Sequence, residues 1–204
     1  MQYMIMGASG AGIGIIDLLL LLLVQKKEGI IVFDKKPFCR KKLVWGVVAG
    51  MVLAGIYFTW LVGEWPYTMW SHLLLVGYLF PLSIVDYKYK QLPDTFHLVY
   101  GIVFVLFKVL FGTWRELLNG GIGVLVILVL FGAVYIVKKE QFGLGDLKAL
   151  GVCAFLVGIP SIFYIFFRGL IVAAIYSIVQ LLRHKAGLKT EFPMIPFLLI
   201  GVLI

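Results

Sequence analysis

Long apolar runs separated by short polar stretches dominate the chain, and this spacing predicts membrane-spanning helices. A helix needs about 20 apolar residues to cross about 30 Å of hydrocarbon. Eight segments approach this pattern: 3–24, 43–62, 66–85, 95–113, 117–137, 149–164, 165–182 and 192–204. We predict the break between the sixth and seventh at Gly158-Ile159-Pro160. The eighth segment is short for a span.

Composition supports a membrane location. Of the 204 residues, 62% are hydrophobic and 14% are charged, against about 25% charged in ordinary soluble domains. A soluble fold of this size leaves about 30% of its unfolded surface exposed, so it could not hide so many apolar side chains. The apolar runs are continuous, whereas outer-membrane barrels show alternating strands of about 10 residues. We therefore predict an all-α, polytopic transmembrane bundle of about eight spans, forming a single domain over 1–204.

The positions of the basic residues predict the topology. The net charge is +8, which in a soluble protein would suggest nucleic-acid binding. Here, however, 15 of the 18 Lys and Arg residues fall in alternate loops between the predicted spans. By the positive-inside rule these loops are cytoplasmic and the N-terminus is outside. We therefore expect these basic loops to interact with membrane lipids, and we expect no nucleic-acid partner.

Two aspartates lie at the cytoplasmic boundary of this predicted topology. Asp86 follows the third segment and Asp146 precedes the sixth. Two carboxylates held close together can share one proton, which is the arrangement needed to activate water and protonate a peptide carbonyl. Alternatively, Asp146 caps the sixth helix with Gly145 at positive φ, and Asp86 pairs with a nearby lysine. Asp94 follows a proline and precedes an apolar helix, so we interpret it as an N-cap.

Two motifs around these aspartates match a known family. Asp86 followed by Leu92-Pro93-Asp94, and the later run Gly143-Leu144-Gly145-Asp146-Leu147-Lys148, resemble the type IV prepilin peptidases, membrane aspartic proteases of the GxGD type. Residues 10–17 are similar to the family's Gly-rich first helix, and 191–197 to its Ile-Pro-Phe segment before the last helix. The resemblance covers nearly the whole chain in order.

The resemblance implies an activity, a substrate class and a location. Asp86 and Asp146 would be the catalytic pair, with no metal or organic cofactor. The substrate would be a prepilin- or pseudopilin-like precursor with a basic leader, a Gly before the cut and an apolar helix. Cleavage would occur at the cytoplasmic face of the bacterial cytoplasmic membrane. Other motif residues would bind substrate or support the site: Gly143, Gly145, Lys148 and Asp94.

Lys148 has three possible roles at this stage. It could bias the pKa of Asp146 downward, position the substrate, or serve as a positive-inside anchor.

The chain departs from larger family members in its first cytoplasmic loop. Many bacterial members carry two CxxC pairs there, in a metal-binding insert associated with N-methylation of the new N-terminus. Residues 25–42 contain only Cys39, so four thiolate ligands cannot be supplied. We therefore expect a short, peptidase-only form, with a bifunctional peptidase and methyltransferase as the nearest alternative.

Asp17 lies in the middle of the first apolar segment. An intramembrane carboxylate is costly and suggests a function; we expect a hydrogen bond to a neighbouring helix, with a substrate contact as the second choice. A small proton-coupled transporter would instead use Asp17, Lys108 and Arg168 as a polar pathway. A non-catalytic pilin-binding assembly factor would share the fold but tolerate loss of Asp86 or Asp146.

Overall fold

A computed structural model describes residues 2–28, 49–50, 53, 66–137, 143–183 and 192–204. Most of the predicted second span, 43–62, and residues 29–42 of the first basic loop lie outside this description. The helices of the described residues are α1 (Gln2–Glu28), α2 (Pro66–Tyr89), α3 (Asp94–Phe111), α4 (Trp114–Val137), α5 (Leu144–Val157), α6 (Ser161–Leu182) and α7 (Ile195–Leu203). The described residues contain no strand, so the predicted all-α class is confirmed.

Three of these helices are long and apolar enough to cross a membrane: α3, α4 and α6. Their side chains point largely outward, and only 17% of the most apolar window of α4 is buried. Apolar side chains exposed all round a helix need lipid as their solvent. The protein is therefore a helical membrane protein, while the count of eight spans and the outside N-terminus stay predictions.

The predicted break between the sixth and seventh segments is confirmed. Helix α5 ends at Val157 and α6 begins at Ser161, and Gly158 between them has φ +70. The Asn119 side chain holds this connection, since its Nδ2 donates to the Ile159 carbonyl at 3.1 Å and its Oδ1 accepts from the Ile159 N–H at 3.2 Å. Helix α5, however, begins at Leu144, five residues before the predicted start of the sixth segment.

The chain forms two compact units, the first made of Met1–Pro81 and Pro93–Leu117. Its core contains large side chains with almost no solvent exposure, among them Leu21, Leu73, Tyr78, Phe96 and Phe104. In the parts of the protein that face water, burial of these side chains is the main contribution to fold stability. In the parts that face lipid, their close packing stabilises the contacts between helices.

The second unit comprises Leu82–Leu92 and Leu118–Ile204. Small residues bring its helices together: a Cβ added at Gly123 of α4 would lie 2.9 Å from the Ala154 carbonyl oxygen of α5, and one at Gly169 of α6 would lie 2.8 Å from the Phe197 carbonyl oxygen of α7. Such close backbone approach is typical of membrane helices. The N-terminal ends of α5 and α7 and the C-terminal end of α2 all belong to this unit.

Candidate active site

Asp86 lies near the end of α2, just beyond the predicted third span (66–85), and its side chain is only 5% exposed. Helix α2 ends at Tyr89, and Lys90 takes a left-handed conformation with φ 52. The Lys90 N–H donates to the Asp86 carbonyl at 2.8 Å, which closes the helix by the left-handed capping pattern usually served by glycine. A lysine in this conformation is strained, and strain of this kind tends to accumulate at functional sites.

The N-terminus of α7 meets the Asp86 carboxylate. The Ile195 N–H donates to Asp86 Oδ2 at 3.1 Å, although the two residues are 109 positions apart. Burial raises the pKa of Asp86, whereas backbone hydrogen bonds from Ile195 and Met194 and the charge of Lys90 act in the opposite direction. The Asp86 carboxyl group is therefore buried, but it accepts from a backbone N–H that favours its ionised form.

Asp146 is the third residue of α5, and Gly143 occupies the N-cap position. Burial and the negative charge of Asp86 raise the pKa of Asp146 to about 6, while a backbone hydrogen bond from Gly143 opposes them. This is the reciprocal half of a capping box, in which the third helical side chain reaches back to the N-cap N–H. Asp146 also lies before the predicted sixth span (149–164), so both aspartates fall at span ends.

The alternative interpretation of Asp146 as the N-cap of α5 is wrong. The N-cap position belongs to Gly143, and among the described glycines the positive φ occurs at Gly158 and not at Gly145. Gly145 is needed for a close approach instead: a Cβ added there would lie 2.9 Å from Leu92 Cβ. The GxGD turn thus packs directly on the leucine of the Leu-Pro-Asp motif.

The interpretation of Asp94 as an N-cap is also wrong. Pro93 occupies the N-cap position of α3 and Asp94 is the first helical residue. Its negative charge still suits the positive end of the helix dipole. Asp94 belongs to the first unit, and Asp86 and Asp146 to the second.

Lys148 follows Asp146 by two residues and its side chain is exposed. Burial, the charge of Asp86 and the Gly143 N–H influence the pKa of Asp146. The three roles predicted for Lys148 stay predictions.

Asp17 is fully buried in the first unit. The Tyr100 hydroxyl of α3 donates to Asp17 Oδ1, so α1 and α3 share the interhelical hydrogen bond expected from the sequence. Lys108 likewise donates from Nζ to the Glu116 carbonyl at 2.8 Å. Both contacts lie within the first unit, and the roles of Asp17 and Lys108 stay predictions.

Sequence reasoning missed three contributors to the site: the backbone N–H groups of Ile195 and Met194, and the Lys90 turn. A partial signal existed, because Pro196 stands at the second helical position of α7 and proline marks helix starts. In the described part of the chain, no three His, Cys, Asp or Glu side chains come together as a metal site would require.

The site and the fold together define a helical membrane protein in which the charge of buried Asp86 raises the pKa of the partly buried Asp146. The family model described as the type IV leader peptidase family matches residues 73–178. This range is just over half of the chain and includes both Asp86 and Asp146. The protein belongs to this family and is a peptidase by that membership. Neither the curated proteins nor the solved structures gave a match.

Proposed function

We propose that the protein is an aspartic endopeptidase that removes the basic leader from prepilin-like precursors at the cytoplasmic membrane face. The observation that carries the proposal is the coupling of Asp86 and Asp146, two largely buried carboxylates within the matched family range. The predicted topology supports the cytoplasmic face, because both span ends adjoin the basic loops.

The chemistry follows from the pair sharing one proton. Two carboxylates that repel each other, as Asp86 and Asp146 do, do not both ionise easily, so we expect one to be a base and the other an acid at the same pH. The base takes a proton from water while the acid protonates the peptide carbonyl, and water oxygen attacks the carbonyl carbon. Low local polarity strengthens this coupling.

The substrate class fits the position of the site. A precursor's apolar helix would stay in lipid among the spans, leaving its basic leader in the cytoplasm. The acidic pair favours that leader, although the many lysines of the adjoining loops oppose it. Anionic lipid headgroups around these lysines would moderate the repulsion.

The test is cleavage of a precursor probe with a Lys-rich leader, a Gly before the cut and an apolar helix, using purified protein in lipid vesicles. We expect Asp86→Asn and Asp146→Asn each to lower cleavage by roughly 10²–10⁴-fold, the usual contribution of a general acid or base. Asp34→Asn, which removes a carboxylate from the predicted first cytoplasmic loop, is the matched control and should cleave normally.

Thermal unfolding of each variant shows whether it is folded. Normal cleavage by a folded Asp86→Asn or Asp146→Asn variant would reject the paired-aspartate mechanism. A folded wild type that cleaves no precursor would instead favour a pilin-binding role without catalysis.

A further inference from the structure

The two aspartates differ in their hydrogen-bond donors, and the difference lies in α7. The Ile195 N–H points at Asp86 Oδ2, and both residues are buried, with exposed fractions of 5% for Asp86 and 0% for Ile195. The Met194 backbone also favours the charged form of this carboxylate. The backbone hydrogen bond that opposes the raised pKa of Asp146 comes from Gly143, next to its own helix.

The start of α7 explains why its N–H groups are available. The first N–H groups of a helix have no partner inside the helix. Met194 holds the N-cap position without a side-chain capping bond, and Pro196 contributes no N–H. The Asp86 carboxylate therefore takes the place that a capping side chain would occupy, and it also lies at the positive end of the helix dipole.

The surrounding charges act in the same sense. The positive charge of Lys90, one turn after Asp86, favours the ionised form of Asp86. The negative charge of Asp86 in turn favours the protonated form of Asp146 in α5. Hydrogen bonds donated to a carboxylate favour its charged form, whereas an adjacent negative charge favours the protonated form. The Gly143 N–H opposes the raised pKa of Asp146, whereas two backbone groups and the charge of Lys90 oppose that of Asp86.

From this geometry we infer that Asp86 is the ionised member and the base, that Asp146 holds the shared proton and is the acid, and that the N-terminus of α7 is the positioning element that fixes this choice. The catalytic roles rest on the proposed function, whereas the distribution of charge does not.

The assignment gives a balanced reaction. Asp86 takes a proton from water, whose oxygen bonds to the carbonyl carbon, and Asp146 gives its proton to the carbonyl oxygen. The resulting diol then returns a hydroxyl proton to Asp146. At the same time Asp86 protonates the leaving nitrogen and the carbon–nitrogen bond breaks. Both aspartates end in their starting states.

Ile195→Pro tests the role of the α7 N–H, because proline deletes this donor and its fixed φ suits a first helical position. Ile195→Ala is the matched control: it removes most of the buried side chain but keeps the N–H. A small epoxide, which esterifies ionised carboxylates, is applied to the full-length protein between pH 4 and pH 8. Peptide mass mapping then locates and quantifies the ester.

Below pH 6 we expect the wild type and Ile195→Ala to carry the ester on Asp86. In Ile195→Pro the pH of half-labelling at Asp86 should rise by about one unit, as expected for a lost hydrogen bond to a charged group. Ester mainly on Asp146, or equal labelling of the two, below pH 6 would overturn the charge assignment. An unchanged profile in a folded Ile195→Pro protein would overturn the role of α7.

Lys90→Asn is a second variant that does not alter α7. Asparagine tolerates the left-handed backbone, so the change removes mainly the positive charge, and the half-labelling pH of Asp86 should again rise. Lys88→Asn is its control, since Lys88 lies over the Tyr89 ring, 5.1 Å from its centroid, and should leave the profile unchanged. An equal shift in both lysine variants would reject a specific effect of Lys90.

The activity profile separates this inference from the proposed function. If the protein is a peptidase, the acidic limb of kcat/KM follows Asp86 and the basic limb follows Asp146. Ile195→Pro should then move the acidic limb to higher pH, and Ile195→Ala should not. Labelling of Asp86 in a protein that cleaves no precursor would leave the charge assignment intact and reject the peptidase mechanism.

Discussion

Replacing Asp146 by Asn should stabilise the protein at neutral pH. The fold raises the pKa of Asp146 from 3.8 to about 6 through burial and the charge of Asp86. Between these two pH values the folded state binds more protons at this residue than the unfolded state does, so the free energy of unfolding falls as pH rises through this window. Above pH 6 the ionised carboxylate therefore costs stability.

The size of this cost follows from the pKa shift. Each unit corresponds to about 1.4 kcal/mol, and partial solvent contact of the Asp146 side chain reduces the effect, so we expect a gain of about 1–3 kcal/mol for Asp146→Asn above pH 6. The amide oxygen can still accept from Gly143, so the local capping bond is kept. For a chain of this length the melting temperature should rise by roughly 3–10 °C.

The assay is thermal unfolding in detergent at pH 7.5 and at pH 4, followed by tryptophan fluorescence, for the wild type, Asp146→Asn and the control Asp34→Asn. The difference between Asp146→Asn and the wild type should be large at pH 7.5 and should nearly vanish at pH 4, where the native carboxyl is protonated. Asp34→Asn should show no such dependence. A variant less stable than the wild type at pH 7.5, or equally displaced at both pH values, would refute the linkage argument.

Two further substitutions test packing. Gly145→Ala should lower stability by about 1–3 kcal/mol through overpacking and should also lower precursor cleavage, because its Cβ would lie 2.9 Å from Leu92 Cβ. Adding Leu92→Gly removes that Cβ and should restore part of both, and no rescue would show that the contact is not the cause. Tyr100→Phe deletes the hydroxyl that donates to buried Asp17 and should lower the free energy of unfolding by about 1–3 kcal/mol. The control Tyr164→Phe, at a side chain that is 62% exposed, should be neutral in thermal unfolding. Equal effects of the two changes would contradict a specific role for the hydrogen bond to Asp17.

The helical class and the break at Gly158-Ile159-Pro160 could be predicted from the sequence because both depend on local chemistry. Continuous apolar runs of span length need lipid and intrahelical hydrogen bonds. A Gly-x-Pro triplet between two such runs interrupts the helix at once, since glycine adopts the positive φ found at Gly158 and proline removes a donor. Neither inference depends on distant contacts.

The helix starts were harder to predict because several residue types suit neighbouring positions. Aspartate is favourable at the N-cap and throughout the first turn, so Pro93-Asp94 was compatible with starts one residue apart. In α5 the predicted apolar span began at 149, but the helix begins at Leu144. Its first turn, which carries Asp146, precedes the predicted apolar span. Hydropathy marks the lipid boundary and not the end of the helix.

The contact between α7 and Asp86 shows a different limit. Its donors are backbone N–H groups, which every residue except proline has. The residue types at 194 and 195 therefore do not predict this contact. The resemblance included this segment but gave it no role, because only the fold brings Ile195 to Asp86.

The same contact shows how the site reconciles stability with chemistry. A buried and a partly buried carboxylate that repel each other destabilise a fold when both are charged, yet the proposed water activation needs one charged and one protonated carboxyl. Helix α7 lowers the cost of the charge at Asp86 with donors that would otherwise lack partners, and the raised pKa of Asp146 keeps a proton available at mildly acidic pH. An additional N–H aimed at Asp146 would make the protein more stable and the pair more symmetric. It would also remove the difference in proton affinity on which an acid and a base depend, so the uneven supply of donors favours catalysis over stability.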